Sequence, residues 1–101
     1  MKYDGKVVVV TGAGSGMGRA MVCEFVAQGG RVAAVGRTLD RIRQTVELAG
    51  GPEKVMGIRA DVVVEADVIA AIDGVIAHWG RIDRLCNNAG VFDSYRPAHA
   101  A

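Results

Sequence analysis

Thr11-Gly12-Ala13-Gly14-Ser15-Gly16-Met17-Gly18 follows directly on the run Val7-Val8-Val9-Val10 and leads into a segment of helical period. The valine run is β-branched and has no polar alternation, the pattern of a strand covered on both faces of a parallel sheet. Glycines allow a tight strand-to-helix turn and remove the Cβ atoms that would keep a pyrophosphate away, while the first amides of the helix point at the anion. A glycine-rich stretch can also be a purely structural turn. Its position after a strand, before a helix and inside a βαβ unit favours the phosphate cradle.

Working outward, strand-like runs recur at Arg31 to Val35, Lys54 to Arg59 and Ile82 to Asn87, and the intervals between them have helical period. Met17, Met21, Phe25 and Gln28, with Ala20 and Val22 beside them, form an apolar stripe that stops at Gly29-Gly30. Leu39, Ile42, Val46 and Ala49 mark a second helix, with Thr38 as its N-cap and Gly50-Gly51-Pro52 as its stop. Val68, Ile69, Ile72, Val75, Ile76 and Trp79 mark a third, closed by Gly80. The order β-α-β-α-β-α-β selects the α/β class, a Rossmann-like doubly wound parallel sheet. Residues 1–101 are read as one partial nucleotide-binding domain with no internal boundary. Right-handed crossovers place the first two helices on one face and the third on the other, and predict the spatial strand order 3-2-1-4.

Composition excludes several classes. The 101 residues carry 12 Lys plus Arg against 11 Asp plus Glu, a formal net charge of +1, so nothing in the bulk charge recruits nucleic acid or anionic lipid. Half the residues are hydrophobic, as a folded core requires. Cys23 and Cys86 are too few and too far apart for a disulfide framework or a four-ligand zinc site and read as core residues of a reducing compartment. His78 and His99 lack companion ligands at metal spacing, so no metal site is assigned. No apolar run approaches the roughly 18 residues of a membrane helix, and Asp4-Gly5-Lys6 interrupts the stretch where a signal peptide would be apolar. A cytoplasmic protein with neither nucleic-acid nor membrane partners is expected.

The end of the second strand discriminates between cofactors. In the dinucleotide fold an acidic residue there accepts hydrogen bonds from the adenosine ribose. Here the position reads Val35-Gly36-Arg37, and the guanidinium of Arg37 is a planar donor fork suited to a 2′-phosphate. NADP(H) is thereby favoured over NAD(H), with Arg37 as a plain solvated loop residue the competing reading. Asp40 lies further on, inside the second helix, and is a poorer ribose partner.

With these residues identified, the sequence resembles the short-chain dehydrogenase/reductase family over nearly its whole length. Thr11 to Gly18 resembles the family's Thr-Gly-x-x-x-Gly-x-Gly turn. Asp61-Val62 resembles its adenine-contacting Asp-Val or Asp-Leu pair, and Gly80-Arg81-Ile82-Asp83 followed by Asn87-Asn88-Ala89-Gly90 resembles its fourth-strand signature. The resemblance implies an NAD(P)(H)-dependent oxidoreductase acting on a small alcohol or carbonyl substrate. Gly12, Ser15, Gly16, Met17 and Gly18 would hold the pyrophosphate, Arg37 the 2′-phosphate, Asp61 and Val62 the adenine, and Asn88, Ala89 and Gly90 the ribose side. Asn87 would tie the central strands together. Asp61 also reads as a cap or turn residue before the third helix, and Asn87 to Gly90 as loop chemistry. A catalytically silent nucleotide-binding module and, further off, a methyl-transferring Rossmann-like domain are the alternative functions.

The resembled family supplies its proton donor through a Ser and a Tyr-x-x-x-Lys located after a fifth strand. This chain has two serines, Ser15 and Ser94, and its last lysine is Lys54; Tyr3 is followed four residues later by Val7, and Tyr95 by His99. No catalytic residue is therefore assigned, Ser94 and Tyr95 included, and the 101 residues alone are expected to be inactive. The resemblance leaves a homo-oligomer open, because the helices that form the family's usual interface would follow residue 101.

Overall fold

A computed structural model describes residues 1–88. The elements are β1 (Val7–Thr11), α1 (Gly16–Ala27), β2 (Arg31–Gly36), α2 (Leu39–Ala49), β3 (Val55–Arg59), α3 (Glu65–Trp79) and β4 (Arg84–Asn87). The strands form one parallel sheet in the order β3-β2-β1-β4, as predicted from the crossovers. In the centre, Val10 lies opposite Ala34 of β2 on one side and Cys86 of β4 on the other.

Every residue of β1 is buried, because both its faces are covered. Val8 and Val10 meet Val22 and Phe25 of α1 and Ile42 of α2. Val7 and Val9 meet Ala71 and Val75 of α3 on the opposite face. Full burial of one such side chain stabilises the fold by about 1.5–3 kcal/mol, so this strand is the structural axis. Cys23 is half-buried and Cys86 buried, both as free thiols. Among the described residues no helix is long and apolar enough to cross a membrane, and no cluster of metal-ligating side chains occurs.

The helices differ from the sequence pattern in rotational phase. α1 buries Gly18, Val22 and Phe25, while Met17 is 73% exposed and Ala20 also faces outward. The cause is Gly18: it abuts the Gly12 carbonyl so closely that a Cβ would overlap it, and this contact sets which face of α1 turns inward. α2 buries Ile42, Thr45 and Ala49 and leaves Leu39 exposed. α3 buries Val68, Ala71 and Val75, with Ile69 and Ile76 exposed at 51% and 43%. Its apolar arc is wider than one sheet face can cover, and the short Ala71 side chain faces β1 together with Val75.

The element ends differ in detail. Thr38 occupies the N-cap of α2, but its side chain makes no capping bond. β4 begins at Arg84 rather than Ile82, since Asp83 braces β1 instead of extending the ladder. Its N–H donates to the Val7 carbonyl (2.8 Å) and its carboxylate accepts the Val7 N–H (2.8 Å).

Candidate nucleotide-binding site

The carboxyl ends of β1, β2 and β4 converge where the strand order reverses, the crevice in which open α/β sheets bind ligands. The chain leaves β1 through Gly12 (φ 64°) and enters α1 through Gly16 (φ 56°), both in the left-handed region that glycine adopts without a Cβ clash. Ser15 is the N-cap, extended in backbone and without a side-chain capping bond. The first amides of α1 have no intrahelical acceptor, and its first turn carries no acidic residue. This helix end therefore presents donors and a positive dipole to an anion with no competing carboxylate of its own.

Beside the turn lies a cleft of about 200 Å³ lined by Gly12, Gly14, Ser15, Gly36, Arg37, Thr38, Arg41, Ala60 and Val62. Among the described residues, two arginines and no carboxylate border it. Neither guanidinium makes an ion pair or hydrogen bond among the described residues. Asp40, the acidic residue of the same helical turn, is directed at Arg43 across 4.0 Å with its side chain 89% exposed. The cleft brings together Gly12, Ser15, Arg37 and Val62 from the sequence prediction. Gly16, Met17 and Gly18 stand at the start of α1 beyond its lining, and Asp61 and Asn88 are also outside it.

Asp61 has the turn role that the sequence left open. Its Oδ1 accepts the Val63 N–H (3.1 Å), and its own N–H donates to Asp67 Oδ2 (2.9 Å). Asp67 also pairs with Arg59 (3.6 Å), whose Nε donates to the Arg37 carbonyl (3.3 Å). A chain of polar contacts thus runs from the end of β2 to the loop after β3 and fixes the two flanks of the cleft.

Asn87 joins the central strands, as the resemblance implied: it lies opposite Thr11 in register, and the Thr11 hydroxyl donates to its Oδ1 at 3.1 Å. Asn88 donates its backbone N–H to the Thr11 hydroxyl and its side-chain amide to the Thr11 carbonyl. Ala89 and Gly90, with Ser94, Tyr95 and His99, lie outside the described residues.

Three contributors escape the sequence pattern, and a fourth, Thr11, is legible only as the start of the turn. Arg41 shares the cleft with Arg37. Thr11 links β1 to β4. Arg19 and the fully buried Thr45 bind the glycine turn to α2. Thr45 carries a legible signal: a hydroxyl three residues after Ile42 interrupts the apolar face of α2.

At the other end of the sheet a larger hollow, about 900 Å³, is lined by Met1, Asp4, Val7, Arg31, Lys54, Trp79 and Arg81 among others. It sits at the amino ends of the strands, where neither the glycine turn nor a helix N-terminus contributes donors. It is a surface recess rather than the ligand crevice.

The parallel sheet, its strand order and the glycine turn together define a Rossmann-like α/β domain of the kind that binds nicotinamide nucleotides. A sequence model described as short chain dehydrogenase matches residues 6–101, and the chain belongs to that family of oxidoreductases. It is 44% identical over 97 residues to cis-2,3-dihydrobiphenyl-2,3-diol dehydrogenase of a Pseudomonas species, an alignment covering 96% of this chain and 34% of that protein. Its fold is similar to that of 3-ketoacyl-(acyl-carrier-protein) reductase from Brucella melitensis complexed with NADH (TM-score 0.77, 34% identity, 81% of this chain and 33% of that one). It is also similar to a short-chain dehydrogenase/reductase of Caenorhabditis elegans solved with cofactor (TM-score 0.81, 27% identity, 84% and 33%). The chain thus spans about a third of the length of the relatives it matches.

Proposed function

We propose that the protein serves an NADP(H)-dependent oxidoreductase that moves a hydride between nicotinamide and a small alcohol or carbonyl substrate, and that these residues form its cofactor-binding part. The observation that carries this reading is the cleft beside the glycine turn, bordered among the described residues by Arg37 and Arg41 and by no carboxylate. A 2′-phosphate there would meet two cationic donor forks, whereas the ribose diol of NAD(H) would find no acidic acceptor.

In this reading Gly12, Ser15, Gly16, Met17 and Gly18 hold the pyrophosphate. Arg37 takes the 2′-phosphate, Asp61 and Val62 flank the adenine, and Asn88, Ala89 and Gly90 line the ribose side. The glycine geometry fits the group: a Cβ at Gly18 is barred by the Gly12 carbonyl, so the first turn of α1 lies hard against the end of β1 with its amides at the crevice. When bound, the nicotinamide supplies the hydride chemistry; these residues bind and orient it. The unpaired thiols of Cys23 and Cys86 suit a reducing cytoplasm.

Fluorescence titration with NADPH and NADH tests the proposal. One well-placed charged hydrogen bond contributes about 1.5–3 kcal/mol, so NADPH is expected to bind roughly tenfold to a hundredfold more tightly. Equal or tighter binding of NADH would overturn the cofactor assignment.

A further inference from the structure

Arg19 is the fourth residue of α1, yet its side chain does not run out into solvent. It crosses to α2, where its Nε donates to the Thr45 hydroxyl at 2.9 Å and its Nη2 to the Arg41 carbonyl at 3.1 Å, and the same Nη2 donates to the Gly14 carbonyl of the turn at 2.6 Å. Thr45, fully buried, donates its own hydroxyl to the Ala13 carbonyl at 2.7 Å. Two successive carbonyls of the glycine turn are therefore engaged by one arginine and one threonine.

A trans peptide holds its C=O and N–H in opposite directions. Directing the Ala13 and Gly14 carbonyls to the Arg19–Thr45 pair turns the N–H groups of Gly14 and Ser15 the other way, and both residues line the cleft. A turn without this restraint would be free to rotate either peptide and present a carbonyl oxygen, which repels phosphate. The same guanidinium reaches the backbone of Arg41 and so ties the turn to the cleft-lining part of α2. Among the described residues Arg19 has no carboxylate partner, and its positive charge adds to the field at the turn.

We infer that Arg19, acting with Thr45, is a positioning residue for the nucleotide diphosphate: it sets the direction of the turn's peptides before any ligand arrives. The inference rests on the proposed use of the turn as a pyrophosphate cradle and goes beyond it, because neither side chain is assigned a contact with the ligand.

The test compares ADP with adenosine, binding each to the wild-type protein, to Arg19→Met and to Thr45→Val, with melting temperatures recorded alongside. Each substitution is expected to weaken ADP roughly tenfold, the loss of about one charged hydrogen bond's worth of preorganisation, and to leave adenosine within about twofold. A merely structural role would lower the melting temperature but leave the ADP-to-adenosine ratio unchanged. Wild-type protein that binds ADP no better than adenosine overturns the pyrophosphate reading, and this inference with it. Wild-type preference for ADP that persists undiminished in either variant overturns the role of Arg19 alone. If Arg19→Met does not fold, Thr45→Val decides by the same ratio, since it nearly preserves the side chain's shape and removes the hydroxyl that holds Ala13.

Discussion

The Thr11 hydroxyl accepts the backbone N–H of Asn88 at 3.1 Å while the Thr11 carbonyl accepts the Asn88 side-chain amide at 3.2 Å. This double contact joins the carboxyl ends of β1 and β4, on either side of the crevice, across 77 residues of sequence. Thr11→Val preserves the shape of the side chain and removes its hydrogen bonds. With the threonine fully buried, the change is expected to reduce stability by about 1–3 kcal/mol and to weaken cofactor binding as the crevice wall loosens. Urea unfolding and a cofactor titration measure the two effects. An unaltered unfolding midpoint would mean that the hydroxyl is dispensable.

Gly18 and Gly74 are both helical glycines, and alanine is expected to act on them with opposite sign. At Gly18 a Cβ would overlap the Gly12 carbonyl. Gly18→Ala should therefore destabilise by more than about 2 kcal/mol, despite the roughly 1 kcal/mol that alanine ordinarily adds to a helix. At Gly74 the nearest atom to a new Cβ is Met56 Cε at 3.7 Å, an ordinary contact. Gly74→Ala should stabilise by about 0.5–1 kcal/mol. Thermal melting of the two variants reads both signs, and melting shifts in the same direction would contradict the packing described at Gly18.

Arg37→Ala should narrow the ratio of NADPH to NADH affinity by about tenfold or more, mainly by weakening NADPH. Arg41→Ala should narrow it in the same direction, since both side chains border one cleft. The ratio for Arg37→Ala should also depend less steeply on salt, because one fewer cation faces the phosphate. A loss shared equally by NADPH and NADH would instead point to damage to the turn.

Asp83 is held below the usual carboxylate range, first by the Arg81 guanidinium that donates to it and then by the Val7 N–H. A carboxyl whose folded pKa is depressed stabilises the protein at pH values above its ordinary pKa of about 4, and that contribution disappears as pH falls through the lower folded value. Asp83→Asn is expected to lower stability near pH 7 by about 1 kcal/mol. The gap between wild type and variant should narrow on going from about pH 7 to about pH 3. Unfolding midpoints at the two pH values check this; a constant gap would show that the charge of Asp83 is immaterial.

Much of this architecture is legible in local sequence, because local chemistry dictates it. A run of four buried valines followed by a glycine-rich turn suits a central parallel strand entering a helix. Alternation with amphipathic segments then leaves few topologies once crossovers are right-handed. The candidate cofactor turn, Arg37 and the Asn87-Asn88 pair were visible for the same reason: each is a short motif whose residue types match a chemistry. Asp61 was visible as a residue, although the Asp67–Arg59 contacts around it were not.

What tertiary structure alone decided is which side of each element faces inward and which distant residues meet. Met17 and Val22 are both apolar, and the approach of Gly18 to the Gly12 carbonyl chose Val22 for the core. Ile69 and Ala71 are both apolar, and the smaller faces the sheet. Arg19 meets Thr45 across 26 residues, and Asp83 meets Val7 across 76. Periodicity is a property of one segment, whereas these contacts depend on the distance and angle at which two segments pack. Those quantities are set only once the sheet has formed and the helices have docked upon it.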